Sequence, residues 1–167
     1  MKVFISYHKN DTHYKNKIVS ILKKEGIEYS MVPRNCILGE CCSIEMQRII
    51  KSRIEDCDLT ICIIGKETYL SPHIDHELKV TLDHDMGILG ILLETRSDRL
   101  RNLRTSTLPK RIAVNYENDF PGIKLAQYAN IDKVLYNHLE DILENHNEPD
   151  LANNDIQLMT LVNKLYY

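Results

Sequence analysis

The chain has no apolar run long enough to cross a bilayer. Its longest, Met86 to Leu93, falls far short of the about 20 residues that a spanning helix needs. The apolar stretch after Lys2 in MKVFISYHKND is too short for the core of a secretory signal, and no small-residue cleavage site follows it, so a cytoplasmic address is expected. The five cysteines, Cys36, Cys41, Cys42, Cys57 and Cys62, are odd in number and never spaced as CxxC; free thiols in a reducing compartment fit them better than a disulfide framework. There is no excess of positive charge either. The net charge of −3, with basic residues scattered apart from the stretch Arg96 to Arg111, gives no general attraction to nucleic acid or to an anionic membrane. Neither GxGxxG nor GxxxxGK[ST] follows any predicted strand, which argues against hydride transfer on a Rossmann site and against P-loop phosphoryl transfer. No internal repeat is visible.

What is present is globular composition. Hydrophobic residues make up 43% and charged residues 27%, unlike a disordered chain, and 167 residues suffice for one domain with an ordinary core. Lys2 to Tyr7 is a β-branched and aromatic run, Asp11 is placed to cap a helix carrying Tyr14, Ile18, Ile21 and Leu22, and Gly26 ends it. Ile27 to Val32 reads as a second strand, broken by Pro33 and followed by a loop to Cys42. Ser43 then starts a helix with Met46, Ile49, Ile50 and Ile54 on one face. Leu59 to Gly65 is a nearly continuous apolar run, as expected of a central strand covered on both faces. A helix over 73–84, a buried strand over 87–93, a polar loop over 95–107, a short strand candidate at Ile112 to Val114 and a helix over 132–145 complete the domain. Strand-helix units in series predict an α/β fold, a doubly wound and mainly parallel sheet of four to five strands. The domain spans residues 1–146; residues 147–167 read as a polar linker and a short amphipathic helix.

In such a sheet, ligands bind outside the carboxyl ends of the strands, near the point where strand order reverses. The ends fall at Ser6-Tyr7-His8, at Gly65-Lys66-Glu67-Thr68 and at Glu94-Thr95, three polar clusters on one rim. Glu77 stands out in the third helix. It lies three positions after Ile74 and one before Leu78, at the edge of the stripe that should face the sheet, where carboxylates are uncommon. Spacing alone leaves two readings open: a Glu turned to solvent or paired locally, and a Glu held at a site.

Three segments bear on the choice. Phe4-Ile5-Ser6-Tyr7-His8-Lys9-Asn10-Asp11 comes first. The second runs from Ile50 to Ile54, then from Asp58 through Ile64-Gly65-Lys66-Glu67-Thr68 to His73-Ile74-Asp75-His76-Glu77-Leu78 and Gly87 to Ile91. The third is Leu108-Pro109-Lys110-Arg111 with Asn115. In this order they resemble the TIR-like family typified by the ThsB proteins of Thoeris antiphage defence, whose fold is flavodoxin-like. The resemblance implies an enzyme that cleaves NAD between nicotinamide and ribose and turns the ADP-ribose product into a cyclic or conjugated signal for a separate effector protein. NAD would be the substrate, with no cofactor and no metal. It further implies that Glu77 is the catalytic residue, and that Ser6, Tyr7, His8, Asp11, His73, Arg111 and Asn115 are substrate-binding. A carboxylate suits that chemistry, because loss of nicotinamide builds positive charge on the ribose. For Asp11 the alternative of a plain helix cap stays open, and for Arg111 that of a solvated side chain.

One residue departs from the family pattern: His73 stands where a Trp commonly precedes the catalytic Glu by four positions. His73, His76 and Glu77 could instead be read as a helical metal cluster, but His76 adjoins Glu77 and no further ligands are evident. Cys41 and Cys42 have no neighbouring base to activate them. A non-catalytic scaffold that assembles through its surfaces, with homo-oligomers, is the competing reading. A flavodoxin-like phosphoacceptor would want clustered acidic residues where Ser6 and Gly65 stand, and is set aside.

Overall fold

The computed structural model describes residues 1–32, 44–93, 108–117, 120 and 122–145. Ten elements alternate along the chain: β1 (Lys2–Tyr7), α1 (Thr12–Lys24), β2 (Glu28–Ser30), α2 (Ile44–Glu55), β3 (Leu59–Ile64), α3 (Pro72–Asp83), β4 (Gly87–Leu92), α4 (Lys110–Glu117), β5 (Ile123–Gln127) and α5 (Ile131–Asn145). The strands form one five-stranded sheet in the order β2-β1-β3-β4-β5, every pairing parallel. This is the expected doubly wound α/β fold, with the sequence range of four to five strands resolved to five.

The helices divide between two faces, and strand periodicity shows how. Val3, Ile5 and Tyr7 of β1 join Ile61 and Ile63 of β3 under α1 and α5, where Ile18, Leu22, Leu135, Leu139 and Ile142 are buried. The opposite parity, Cys62 and Ile64 with Ile88 and Leu92, packs against Ile74, Leu78 and Leu82 of α3 and Ile112 of α4. Phe4 meets Ile50 and Ile54 of α2 and Val80 of α3. Each fully buried Ile or Leu of α3 contributes about 1.5–3 kcal/mol of transfer free energy, which holds this helix over the middle of the sheet.

Local chemistry sets the ends of these elements. Gly26 adopts φ 67°, and the two bonds Ile27 N–H to Leu22 O (2.9 Å) and Gly26 N–H to Lys23 O (3.3 Å) close the end of α1 in the left-handed way glycine permits. Ser71 caps α3 by accepting from the Ile74 N–H at 3.4 Å, with Pro72 next in the first turn.

Two expectations are corrected. Ile112 to Val114 is not a strand: it lies inside α4, and the edge strand is β5 instead. The three residues look β-like in isolation, yet in the helix Ile112 and Arg111 are both buried, so tertiary burial outweighs local preference. Asp11 precedes α1 but makes no capping hydrogen bond, because a 3-10 turn over Lys9–Asp11 comes first and His8 Nδ1 accepts from the Asn10 N–H. The Pro33 to Cys42 loop, the Ser43 cap, Cys36, Cys41 and Cys42, Glu94-Thr95, the loop over 95–107 and the segment 147–167 lie outside the described residues.

Candidate active site

Strand order places the reversal between β1 and β3: one crossover leaves β1 outward to β2, the other leaves β3 outward to β4. Parting connections leave a crevice at the carboxyl edge. A cavity of about 290 Å³ occupies that place. His8, Asn10 and Asp11 line it from the turn after β1, and Gly65, Lys66 and Glu67 from the turn after β3, while Tyr14 of α1 and Leu93 after β4 bound it further.

The wall after β3 is built by Thr68. Its hydroxyl donates to the Ile63 carbonyl (3.2 Å) and accepts from the Gly65 N–H (2.8 Å), which folds Gly65-Lys66-Glu67-Thr68 into a closed turn. Gly65 is needed for its small size. A Cβ there would lie 2.5 Å from Asp11 Oδ2 and 2.6 Å from Oδ1, so the Asp11 carboxyl rests directly on the glycine backbone. Burial in this position pushes the Asp11 carboxyl above its usual range, with nearby His8 pulling it down and Glu67 pushing it up. Across the cavity mouth, Asn10 Nδ2 donates to Glu67 Oε2, which also lies 3.4 Å from His8 Nδ1.

Glu77 occupies the other face of the sheet. It sits on α3 with no exposed surface, and its Oε2 accepts from Ser6 Oγ at 2.6 Å; Ser6 is buried to the same extent. Of the readings that spacing left open, the solvent-facing one is excluded, while a locally paired Glu and a Glu held at a site both stay open. One helical turn on, Thr81 Oγ1 donates to the Glu77 carbonyl (2.9 Å) and lies 2.7 Å from Thr60 Oγ1 of β3. Glu77 is not among the residues lining the cavity. The two places meet at the end of β1, where Ser6 belongs to one and His8 to the other.

The remaining candidates separate accordingly. Tyr7 alternates with Ser6 along β1 and so points to the α1–α5 face, where it is 5% exposed, with Lys15 Nζ 5.6 Å from its ring; it does not share a pocket wall with the Ser6 hydroxyl. His73, half-buried, lies one turn before Glu77 on α3. Arg111 is not solvated: its guanidinium pairs with Asp75 of α3 through Nε to Oδ1 (3.0 Å) and Nη2 to Oδ2 (3.2 Å), which ties α4 to α3. Asn115, 2% exposed, donates through Nδ2 to the Arg111 carbonyl at 2.6 Å. Among the described residues no three His, Cys, Asp or Glu side chains group closely enough to hold a metal ion, and no helix is long and apolar enough to cross a membrane. Gly65, Lys66 and Glu67, placed by sequence on the ligand-facing rim but given no role at the site, line the cavity, and so do Asn10 and Tyr14, which sequence reasoning did not propose for it. Their signal was position alone, at the ends of β1 and β3 and in the first turn of α1.

Residues 4–98 match the family model described as the TIR-like domain of the Thoeris protein ThsB. No curated protein matches the chain by sequence. Among solved structures, the CMP N-glycosidase BcmB of Clostridium botulinum is similar at 18% identity and a TM-score of 0.46, over 84% of this chain and 98% of that one. The TIR domains of the activated Roq1 resistosome directly recognizing the pathogen effector XopQ are similar at 16% identity and a TM-score of 0.47, over 99% of both chains.

Proposed function

This chain belongs to the family of the Thoeris protein ThsB, TIR-like domain, and from that membership we propose that it cleaves NAD, releases nicotinamide and builds an ADP-ribose-derived signal, cyclic or conjugated, in antiphage defence. The observation that carries the proposal is the Ser6–Glu77 pair: a carboxylate on α3, inside the matched segment, oriented by a 2.6 Å hydrogen bond from the end of β1.

The chemistry follows from charge. As the bond between nicotinamide and ribose breaks, positive charge grows on the sugar, and a fixed carboxylate stabilises that charge more than it stabilises the intact substrate. Ser6 holds one oxygen of Glu77, which sets the direction of the other. His73, one turn earlier, walls the sugar, and the cavity at the switch point, with His8 and Asp11, receives the distal part of the dinucleotide. Tyr7 supports this edge from below, while Arg111, to whose carbonyl Asn115 donates, braces α3 from α4 through Asp75. NAD is the substrate, and the scheme uses no other cofactor. Glu77 is fully buried, so in this scheme the sugar reaches it once the carboxylate is uncovered. In this scheme the product activates a separate effector protein.

A second reading, a non-catalytic TIR-like interaction module, draws on the same burial and on the absence of Glu77 from the cavity lining. The two part on one experiment: incubation with NAD, using protein from cells with and without phage infection, and detection of nicotinamide and ADP-ribose products. Glu77→Gln keeps an oxygen that can accept from Ser6, so it should leave the fold intact and abolish turnover. An unchanged rate in that variant overturns the catalytic assignment.

A further inference from the structure

We infer that Thr60 and Thr81 are positioning residues for Glu77; the inference rests on the reading of Glu77 as the NAD-cleaving carboxylate. Both threonines are completely buried, beside the apolar side chains that pack α2 and α3 onto this face of the sheet. Hydroxyls in such surroundings lower stability unless they are paired, so their presence calls for a reason. Their pairing has a direction. The Glu77 carbonyl can only accept, so the Thr81 hydroxyl spends its one proton there at 2.9 Å, and Thr60 must therefore donate to Thr81 Oγ1 across 2.7 Å. The result is a chain of two hydrogen bonds from the amino-terminal end of β3 to the backbone of Glu77.

Strand register explains what this chain fixes. Phe4 pairs with Thr60 and Ser6 with Cys62 in the parallel β1–β3 ladder, so Thr60 and Ser6 present their side chains on the same face of neighbouring strands, two residues apart along the strand direction. Glu77 is thus anchored twice. Its carboxylate is held from β1 by Ser6, and its backbone from β3 through Thr81. Ridges of Ile and Leu define where α3 lies but tolerate small slides along the helix axis, whereas directional hydrogen bonds do not. A displacement of about 1 Å at a reacting group can cost on the order of a hundredfold in rate, so the second anchor acts on the carboxylate without touching substrate.

The test replaces both threonines by valine, which keeps their shape and removes both hydroxyls together, a change close to neutral for stability. In T60V/T81V the melting temperature should stay within a few degrees of the wild type, while kcat for nicotinamide release falls at least tenfold and KM changes less than twofold. T60S/T81S, which restores the hydroxyls, should recover kcat. A folded T60V/T81V with kcat within twofold of the wild type overturns the inference. A second reading does not depend on turnover: the carboxyl carbon-13 resonance of Glu77 should shift in T60V/T81V and return in T60S/T81S, and an unmoved resonance also overturns the inference. Wild-type protein that cleaves no NAD under any condition would remove the proposed function, and the resonance would still decide whether the threonines position Glu77. If T60V/T81V does not fold, T81V alone is judged by the same two readings.

Discussion

Replacing Ser6 by Ala removes a hydroxyl that donates to Glu77 Oε2 at 2.6 Å, from a place where neither residue has any exposed surface. A hydrogen bond to a carboxylate is worth about 1.5–3 kcal/mol, and water cannot take over the lost contact without entering the layer between α3 and the sheet. Alanine fills nearly the volume of serine, so no cavity adds to the loss, and removal of the desolvated hydroxyl returns part of it. The net expectation is a destabilisation of about 2 kcal/mol. For a chain of this length that corresponds to a fall of about 4–8 °C in melting temperature. Urea unfolding followed by far-UV circular dichroism measures it, with an unchanged m-value as the sign that the native and unfolded states are otherwise alike. Glu77→Gln should cost less than Ser6→Ala, because the amide oxygen still accepts, and in the double variant the two effects should fall short of additive by about 1 kcal/mol or more. A Ser6→Ala protein within 0.5 kcal/mol of the wild type would refute the reasoning, since it would mean that the carboxylate is hydrated and the pair exposed.

Gly65→Ala drives a Cβ to 2.5 Å from Asp11 Oδ2, so the carboxyl must leave its seat; a loss of about 1–3 kcal/mol is expected, most of it recovered in Gly65→Ala/Asp11→Ala, as read by urea unfolding. Asp11 carries a carboxyl pKa raised chiefly by burial, so the folded state holds its proton more tightly than the unfolded chain does, and stability declines as pH rises from the ordinary Asp range through the folded pKa. Asp11→Asn should therefore be more stable than the wild type at neutral pH, with the gap closing below about pH 3.8, and a gap that widens in acid would contradict the assignment. Cys57 is buried and its thiol is pushed up to about 11, by burial first and then by Asp56 and Asp58 against the opposing pull of Lys2. Alkylation at pH 8 followed by mass spectrometry should leave Cys57 unmodified in the native protein and modify it fully after unfolding.

Much of this architecture was readable from pattern. The run Leu59–Ile64 is buried at every position, and apolar at all but Thr60, because β3 is covered by helices on both faces, and the 3.6-residue spacing of Ile74, Leu78 and Leu82 marks the face by which α3 sits on it. Pattern failed toward the carboxyl end of the domain. The edge strand β5, Ile-Lys-Leu-Ala-Gln, is half exposed and breaks alternation with two adjacent half-buried residues, while α4 hides a short β-branched run inside a helix. Arg111 of α4 is buried with Asp75 paired opposite on α3, and such long-range compensation leaves no periodic trace in sequence. At the site, spacing could show that Glu77 was unusual, but not which way it pointed.

The motif after β1 shows why that gap was of one kind. Ser6, Tyr7, His8 and Asp11 are close in sequence and looked like one set of contacts to one ligand. Strand parity separates the first two: Ser6 turns to α3 and Glu77, Tyr7 turns to the core under α1 and α5, and only His8 and Asp11, beyond the last strand residue, reach the cavity. The motif is therefore a junction that fixes the Glu77 face, the core face and the cavity edge to one another within six residues of chain. Substitutions along it should separate into distinct effects: loss of stability alone at Tyr7, loss of kcat beyond the loss of stability at Ser6, and a raised KM with stability kept at His8. A uniform loss at all three positions would mean that these residues act on one contact after all, against the geometry of the strand that carries them.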